Sequence, residues 1–228
     1  MVCLQGIESS WMEANKIKLS TVIFSIVVIA AVEIVVRLLI NQDLVAPLTA
    51  LGSARLAQII FLLVLINIRE KSLSAIGLAS TGAYQGIKKG LIWAVFFGAA
   101  AGLALLIIYL SGINLLKLFQ MQLPANGYKL IVFFLVGAFI APIAEEIFFR
   151  GILYGFFRRW GMLTALVLST LLFVLSHPSG HIFSWQKVPQ MIGGIVFAVA
   201  YEMEKNLLVP IIIHVLGNLA IFTLALII

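Results

Sequence analysis

The chain has 228 residues, 63% of them hydrophobic and only 11% charged, a balance that excludes a soluble globular domain and fits a polytopic membrane protein. The net charge of +6 would suit a nucleic-acid partner, but Lys and Arg flank apolar segments instead of forming one patch, which is the pattern that orients a membrane protein. The single cysteine, Cys3, precludes an intrachain disulfide.

A polar tail, residues 1–18, carries Glu8 and Glu13. The apolar run behind it is too long for a signal-peptide core and lacks a small-residue cleavage site, so it reads as a retained first span. A hydrocarbon core of about 30 Å needs about 20 apolar residues per helix. The spans expected on that basis are Leu19 to Ile40, Ala54 to Ile68, Gly90 to Leu110, Tyr128 to Phe157, Leu163 to Ser176, Val188 to Met203 and Leu207 to Ile228. The second, fifth and sixth are short, so the predicted fold class is an all-α membrane helix bundle of about seven transmembrane helices, six to eight at the limits. Residues 19–127 form its N-terminal helices, and 128–228 form a C-terminal core within the same domain. Between the second and third spans, REKSLSAIGLAS, 69–80, reads as an amphipathic lead-in at the inner surface.

With the N-terminus in the cytoplasm, Lys16, Lys18, Arg69, Lys71, Lys88, Lys89, Arg158, Arg159 and Lys205 fall inside. Arg55, Lys117, Lys129 and Lys187 fall outside, nine against four. The expected orientation is therefore N-terminus in and C-terminus out. At about 30 residues and roughly 45 Å the fourth span exceeds the core. It must tilt strongly or break, with Pro142 as the natural break.

An ionisable group at the centre of a span costs about 2.5 to 3.5 kcal/mol on insertion scales. Such residues form three constellations in the C-terminal half: Glu145, Glu146 and Arg150; Phe173 and His177; His214 and Asn218. Glu146 and Arg150 are four apart and share a helix face, the spacing of a structural ion pair. Glu145 is turned about 100° away and remains a free carboxylate, able to take and return a proton. Phe173 and His177 share a face that ends at Pro178, and His214 and Asn218 share a face of the last span. Each His alone would serve as an interhelical hydrogen-bonder. Together with the free Glu they suit amide hydrolysis, with Glu145 deprotonating a water, His177 holding it, and His214 and Asn218 donating to the oxyanion. No Ser stands in a G-x-S-x-G elbow. A zinc site on Glu145, His177 and His214 is the rival account, although H-E-x-x-H is absent. His181 reads as a loop or interfacial residue.

In order along successive helices, E-E-x-x-x-R (Glu145, Glu146, Arg150), F-x-x-x-H (Phe173, His177) and H-x-x-x-N (His214, Asn218) resemble the CPBP family. These are the CAAX-protease and bacteriocin-processing intramembrane proteases, also known as abortive-infection proteins. The resemblance covers Lys129 to Ile228, with NLLVPIIIHVLGN especially typical. It implies an intramembrane endopeptidase acting on a membrane-associated peptide or protein, with Glu145 and His177 activating water and His214 and Asn218 as oxyanion donors. Glu146, Arg150 and Phe173 become supports. The family has been described both as metalloproteases and as metal-free glutamate proteases, and the metal-free form is favoured here. Two readings from other classes use the same polar residues differently. One is a non-enzymatic immunity or scaffold protein whose helices they tie together, and the other a proton-coupled transporter in which they relay protons.

Overall fold

A computed structural model describes residues 17–112, 121–177 and 187–227, and among these every regular element is helical. The tail with Cys3, Glu8 and Glu13 lies outside the described residues, as do Pro178 and His181. Seven long helices carry the architecture: α1 Leu19–Asn41, α2 Pro47–Arg69, α3 Ala83–Leu110, α4 Gly127–Trp160, α5 Met162–Ser176, α6 Val188–Glu204 and α7 Leu208–Ile227. By length and composition α1, α2, α4, α7 and the stretch Ser80–Leu110 containing α3 can each cross a membrane, and α5 is a shorter apolar helix. The expected bundle is thus present.

Boundaries moved where polar residues are paired. Helix α2 begins at Pro47 rather than Ala54, because the Arg55 and Gln58 that depress its hydropathy are satisfied across the bundle. Arg55 Nη1 lies 2.5 Å from Glu33 Oε1, and Gln58 Nε2 donates to the same oxygen at 3.0 Å. This ionic cluster between α1 and α2 corrects the expectation that intramembrane charge is confined to the C-terminal half. Helix α3 starts at Ala83 instead of Gly90 and carries Lys89 to Glu204, 2.5 Å away. Burial pushes the Glu204 carboxyl up, but the bonds from Lys89 and Trp93 outweigh it and hold Glu204 below the usual carboxylate range.

Pro142 does not break α4. The helix absorbs it by widening, with π turns at Leu135–Ile140 before it and Ile147–Tyr154 after it. Ala141 bonds back to the Val136 carbonyl across five residues, so the next donor in that pattern, for Gly137, would be Pro142, which has no N–H. The Gly137 carbonyl is taken instead by Asn218 Nδ2 of α7 at 2.9 Å. Wider turns rise less per residue, so α4 is shorter than a continuous α-helix of its length.

The main core lies where α2, α4, α5 and α6 meet, with Leu62, Ile66, Ile147, Ile152 and Tyr154 at most 1% exposed. The stretch read as an amphipathic lead-in takes the form of two 3-10 turns, Leu73–Ile76 and Ser80–Gly82, strapped onto the bundle. Ile76 is wholly buried against Gly151, and its carbonyl accepts from the Tyr201 hydroxyl at 3.0 Å. Gly77 (φ +75°) then lets its own carbonyl accept from Leu207 N at 3.2 Å. Lys18, Arg69, Lys89, Arg158, Arg159 and Lys205 gather at this end of the bundle. Lys18 Nζ reaches Arg69 O at 2.7 Å, Arg159 Nη2 reaches Ile17 O at 2.6 Å, and Arg158 and Lys205 both pair with Glu202.

At Gly77 a Cβ would meet the Lys205 carbonyl oxygen at 2.8 Å in a left-handed backbone. Gly77→Ala is expected to destabilise the protein by about 1 to 3 kcal/mol. Gly98→Ala, where nothing lies within 4 Å of the new methyl, is expected to change stability little. Thermal unfolding of the two variants in detergent checks this pair.

Candidate active site

The site is built on α4 and completed by α5, α6 and α7. The offset of neighbouring residues on a helix separates the two carboxylates. Glu146 points into the bundle with no exposed side-chain surface, whereas Glu145 keeps 21%. Glu146 Oε1 accepts from Arg150 Nη1 at 2.9 Å, one turn along the same helix, as the spacing predicted. The same oxygen lies 2.8 Å from His214 Nδ1. Arg150 is itself wholly buried. Its Nη2 donates to the Gly194 carbonyl of α6 at 3.2 Å, and its guanidinium sits 4.4 Å from the Phe173 ring centroid and 5.2 Å from that of Phe197.

Two imidazoles face Glu145. Its Oε2 is 3.8 Å from Nε2 of His177 and 3.8 Å from Nε2 of His214. In each ring the other nitrogen is held. His177 Nδ1 lies 2.8 Å from the Phe173 carbonyl, and His214 Nδ1 lies against Glu146. Carbonyl and carboxylate oxygens only accept, so both Nδ1 atoms carry a proton and both rings turn Nε2 toward Glu145. The rings are also fixed by aromatic contact. His214 stacks on Phe197 at 4.6 Å and 22°, with Phe173 edge-on at 5.9 Å, while Phe173 lies 4.6 Å from His177.

Glu145 is expected near the inner side and His177 about 21 Å deep, although the twelve residues of straight helix between Glu145 and Phe157 already span about 18 Å. The structure brings them together because Gly161 (φ +103°) turns the chain between α4 and α5, and Glu145 and His177 are each sixteen residues from it. The count ended the fourth span at Phe157, whereas α4 continues to Trp160. For His214, expected about 10 Å deep, the low rise of the π turn Ile147–Tyr154 draws Glu145 and Glu146 toward it.

Asn218 stands apart. It is one turn beyond His214 on α7, but its amide donates to Gly137, two turns from Glu145 on α4. The contributions of Phe197 and Gly194 were missed from the sequence. The Gly193-Gly194 pair was the available signal, since a Cβ on Gly194 would meet Thr170 at 3.0 Å and Phe173 at 3.3 Å.

The three donors named for zinc, Glu145, His177 and His214, have suitable chemistry, with the Glu146–His214 bond as an outer-shell partner. A zinc ion would require them to converge to about 2 Å from one point. Among the described residues no group of three or more His, Cys, Asp or Glu side chains is arranged to hold a metal. The fit is therefore not made by the donors as they stand.

Glu146 and Arg150 are each 0% exposed, so removing either leaves the other charge buried. Glu146→Gln and Arg150→Leu are each expected to cost about 3 to 5 kcal/mol, read as loss of folded protein in membranes and a lowered unfolding temperature.

Residues 127–220 match a family model described as Type II CAAX prenyl endopeptidase Rce1-like. The match runs from the start of α4 into α7 and contains all seven residues singled out above. The chain is also 32% identical over 138 residues to the membrane-embedded CAAX protease MroQ of Staphylococcus aureus (strain USA300). That alignment covers 53% of this chain and 54% of the relative, so the chain spans about half the length of the curated protein it matches. No solved structure matches it. Through the helices that carry the Glu, His and Asn motifs, the chain is similar to the CAAX-protease-like membrane proteins.

Proposed function

We propose that this protein is an intramembrane endopeptidase that hydrolyses a peptide bond in a membrane-associated peptide or protein, using water activated by Glu145 and no metal. One observation carries the reading: a partly exposed carboxylate oxygen lies 3.8 Å from two imidazole nitrogens whose opposite nitrogens are both anchored. That separation is too long for a direct hydrogen bond and suits one bridging water. Glu145 takes a proton from this water while His177 Nε2 orients it by accepting its second hydrogen. The resulting hydroxide attacks the scissile carbonyl, and Glu145 returns the proton to the departing amine.

His214 supports the oxyanion in its protonated form, in which Nε2–H donates to the developing charge. The Glu146 carboxylate against Nδ1 stabilises that imidazolium. Asn218 contributes through the amide hydrogen not used by Gly137. The family and the relative support peptide-bond hydrolysis at a membrane. The excess of basic residues at the Lys18, Arg69, Lys89 and Arg158 end supports an inner-membrane protein with a cytoplasmic N-terminus. Leader peptides, membrane-anchored sorting segments and regulatory proteins are the substrate classes that fit a bacterial membrane.

Glu145→Gln is expected to abolish cleavage while leaving the folded protein at wild-type level. The measurement is mass spectrometry of peptide termini in membranes bearing either form, and the reading fails if no terminus depends on Glu145. Asn218→Ala is expected to lower turnover by about 10²- to 10³-fold if its free hydrogen reaches the oxyanion. Turnover of the purified protein is expected to survive chelation, and loss of activity restored by added zinc would replace the metal-free mechanism.

A further inference from the structure

The basic residues at the Lys18 end of the bundle fall into two groups. Lys89 is neutralised by Glu204, and Arg158 and Lys205 by Glu202. Lys18, Arg69 and Arg159 are held as closely, but by neutral groups. Lys18 Nζ donates to Arg69 O at 2.7 Å and Arg69 Nη2 to Ser20 Oγ at 2.5 Å. Arg159 donates from Nη2 to the Ile17 carbonyl at 2.6 Å and from Nε to the Phe156 carbonyl at 3.0 Å. Arg69 Nε has no acceptor. The one carboxylate in these contacts, Glu70, accepts from Lys18 N at 3.1 Å and from the Thr21 hydroxyl, so it is taken up by the first turn of α1. Among the described residues, three cations thus stand against one carboxylate around residues 17–21.

A long cationic side chain fixed without a counter-charge loses rotamer freedom and repels its neighbours, with no ion pair to offset either. The cluster is therefore matched to an anion, and its place indicates which kind. Lys18 precedes α1, Arg69 ends α2 and Arg159 lies in the last turn of α4, so all three stand where spanning helices leave the hydrocarbon. Each guanidinium also lies beside an exposed ring, Arg69 5.0 Å from the Phe24 centroid and Arg159 5.7 Å from that of Trp160. With Leu19 and Ile68 exposed as well, apolar surface begins directly next to the charges. A phosphate joined to acyl chains meets both surfaces at once, whereas a soluble anion uses only the charges. The cluster is also separate from Glu145, which is fourteen residues and about 20 Å of helix from Arg159.

We propose that Lys18, Arg69 and Arg159 form a binding site for the headgroup of an anionic phospholipid in the leaflet at this end of the bundle. The ammonium and the two guanidinium groups take the phosphate oxygens, and the acyl chains lie on the exposed side chains of Leu19, Ile23 and Phe24. A lipid held in this way ties the start of α1 to the ends of α2 and α4.

The test uses the full chain in a neutral detergent. The probes are dioleoyl phosphatidylglycerol and dioleoyl phosphatidylcholine, which share their acyl chains and differ in net charge, and glycerol 3-phosphate as a soluble phosphate. Binding is read by native mass spectrometry and by the unfolding temperature. Phosphatidylglycerol is expected to bind about tenfold or more tighter than phosphatidylcholine and to raise the unfolding temperature further. Lys18→Gln combined with Arg69→Gln is expected to reduce that preference below about twofold. Lys88→Gln combined with Arg37→Gln removes the same charge from exposed positions elsewhere and is expected to keep it. Arg159→Gln leaves the contacts between α1 and α2 in place and is expected to lower the preference about fivefold, which keeps the test decisive if the Lys18 and Arg69 variant folds poorly. Equal binding of the two lipids, a preference that survives loss of these cations, or an equal loss in the Lys88 and Arg37 variant overturns the proposal. Glycerol 3-phosphate that binds as tightly as phosphatidylglycerol overturns it too, and assigns the cations to a free phosphate.

Discussion

A single carboxylate holds the C-terminal half of this molecule in register. Glu146, wholly buried, is bound through one oxygen by Arg150 from its own helix and by His214 from α7. Arg150 in turn reaches α6 through the Gly194 carbonyl and lies between the rings of Phe173 and Phe197. Three helices are thus fixed by one charge cluster inside an apolar bundle. A buried pair of this kind adds little net stability over an apolar contact, but it specifies geometry, because every misaligned arrangement leaves a charge unpaired. The orientation of His214 is one consequence, since the ring cannot rotate without losing either Glu146 or its stack on Phe197.

The neighbouring residue benefits from what Glu146 does. Because adjacent side chains on a helix diverge, the structural demand falls on Glu146 alone and Glu145 faces the two imidazole Nε2 atoms. Its level is set by backbone shape. The π turns on both sides of Pro142 lower the rise of α4, and the Gly161 turn folds α5 back so that His177 meets Glu145 at an equal distance along the chain. The proline that might have broken the helix also strips a donor from Gly137, and that freed carbonyl gives Asn218 its anchor.

The N-terminal helices contribute support of a different kind. The Glu33, Arg55 and Gln58 cluster ties α1 to α2 within the apolar span. The Leu73–Gly82 strap closes the basic end by bonding to Tyr201 of α6 and to Leu207 in the α6–α7 turn. These contacts brace the ends of the helices that carry the site without entering it.

The sequence by itself determined the all-helical membrane class, seven helices with largely correct boundaries, and the Glu146–Arg150 pair. Each depends on local quantities: apolar run length and a four-residue spacing on one helix. It also brought out Glu145, His177 and His214 as residues of one site, because polarity is expensive inside a membrane and stands out there. Tertiary structure alone decided the rest. A hydropathy window discounts Arg55 because it cannot see Glu33 on another helix. Equal depth for Glu145 and His177 depends on where the chain turns, at Gly161, which apolar run length does not fix. The roles of Phe197, Gly194 and the Gly137 carbonyl arise from contacts between helices dozens of residues apart, which one-dimensional spacing does not encode.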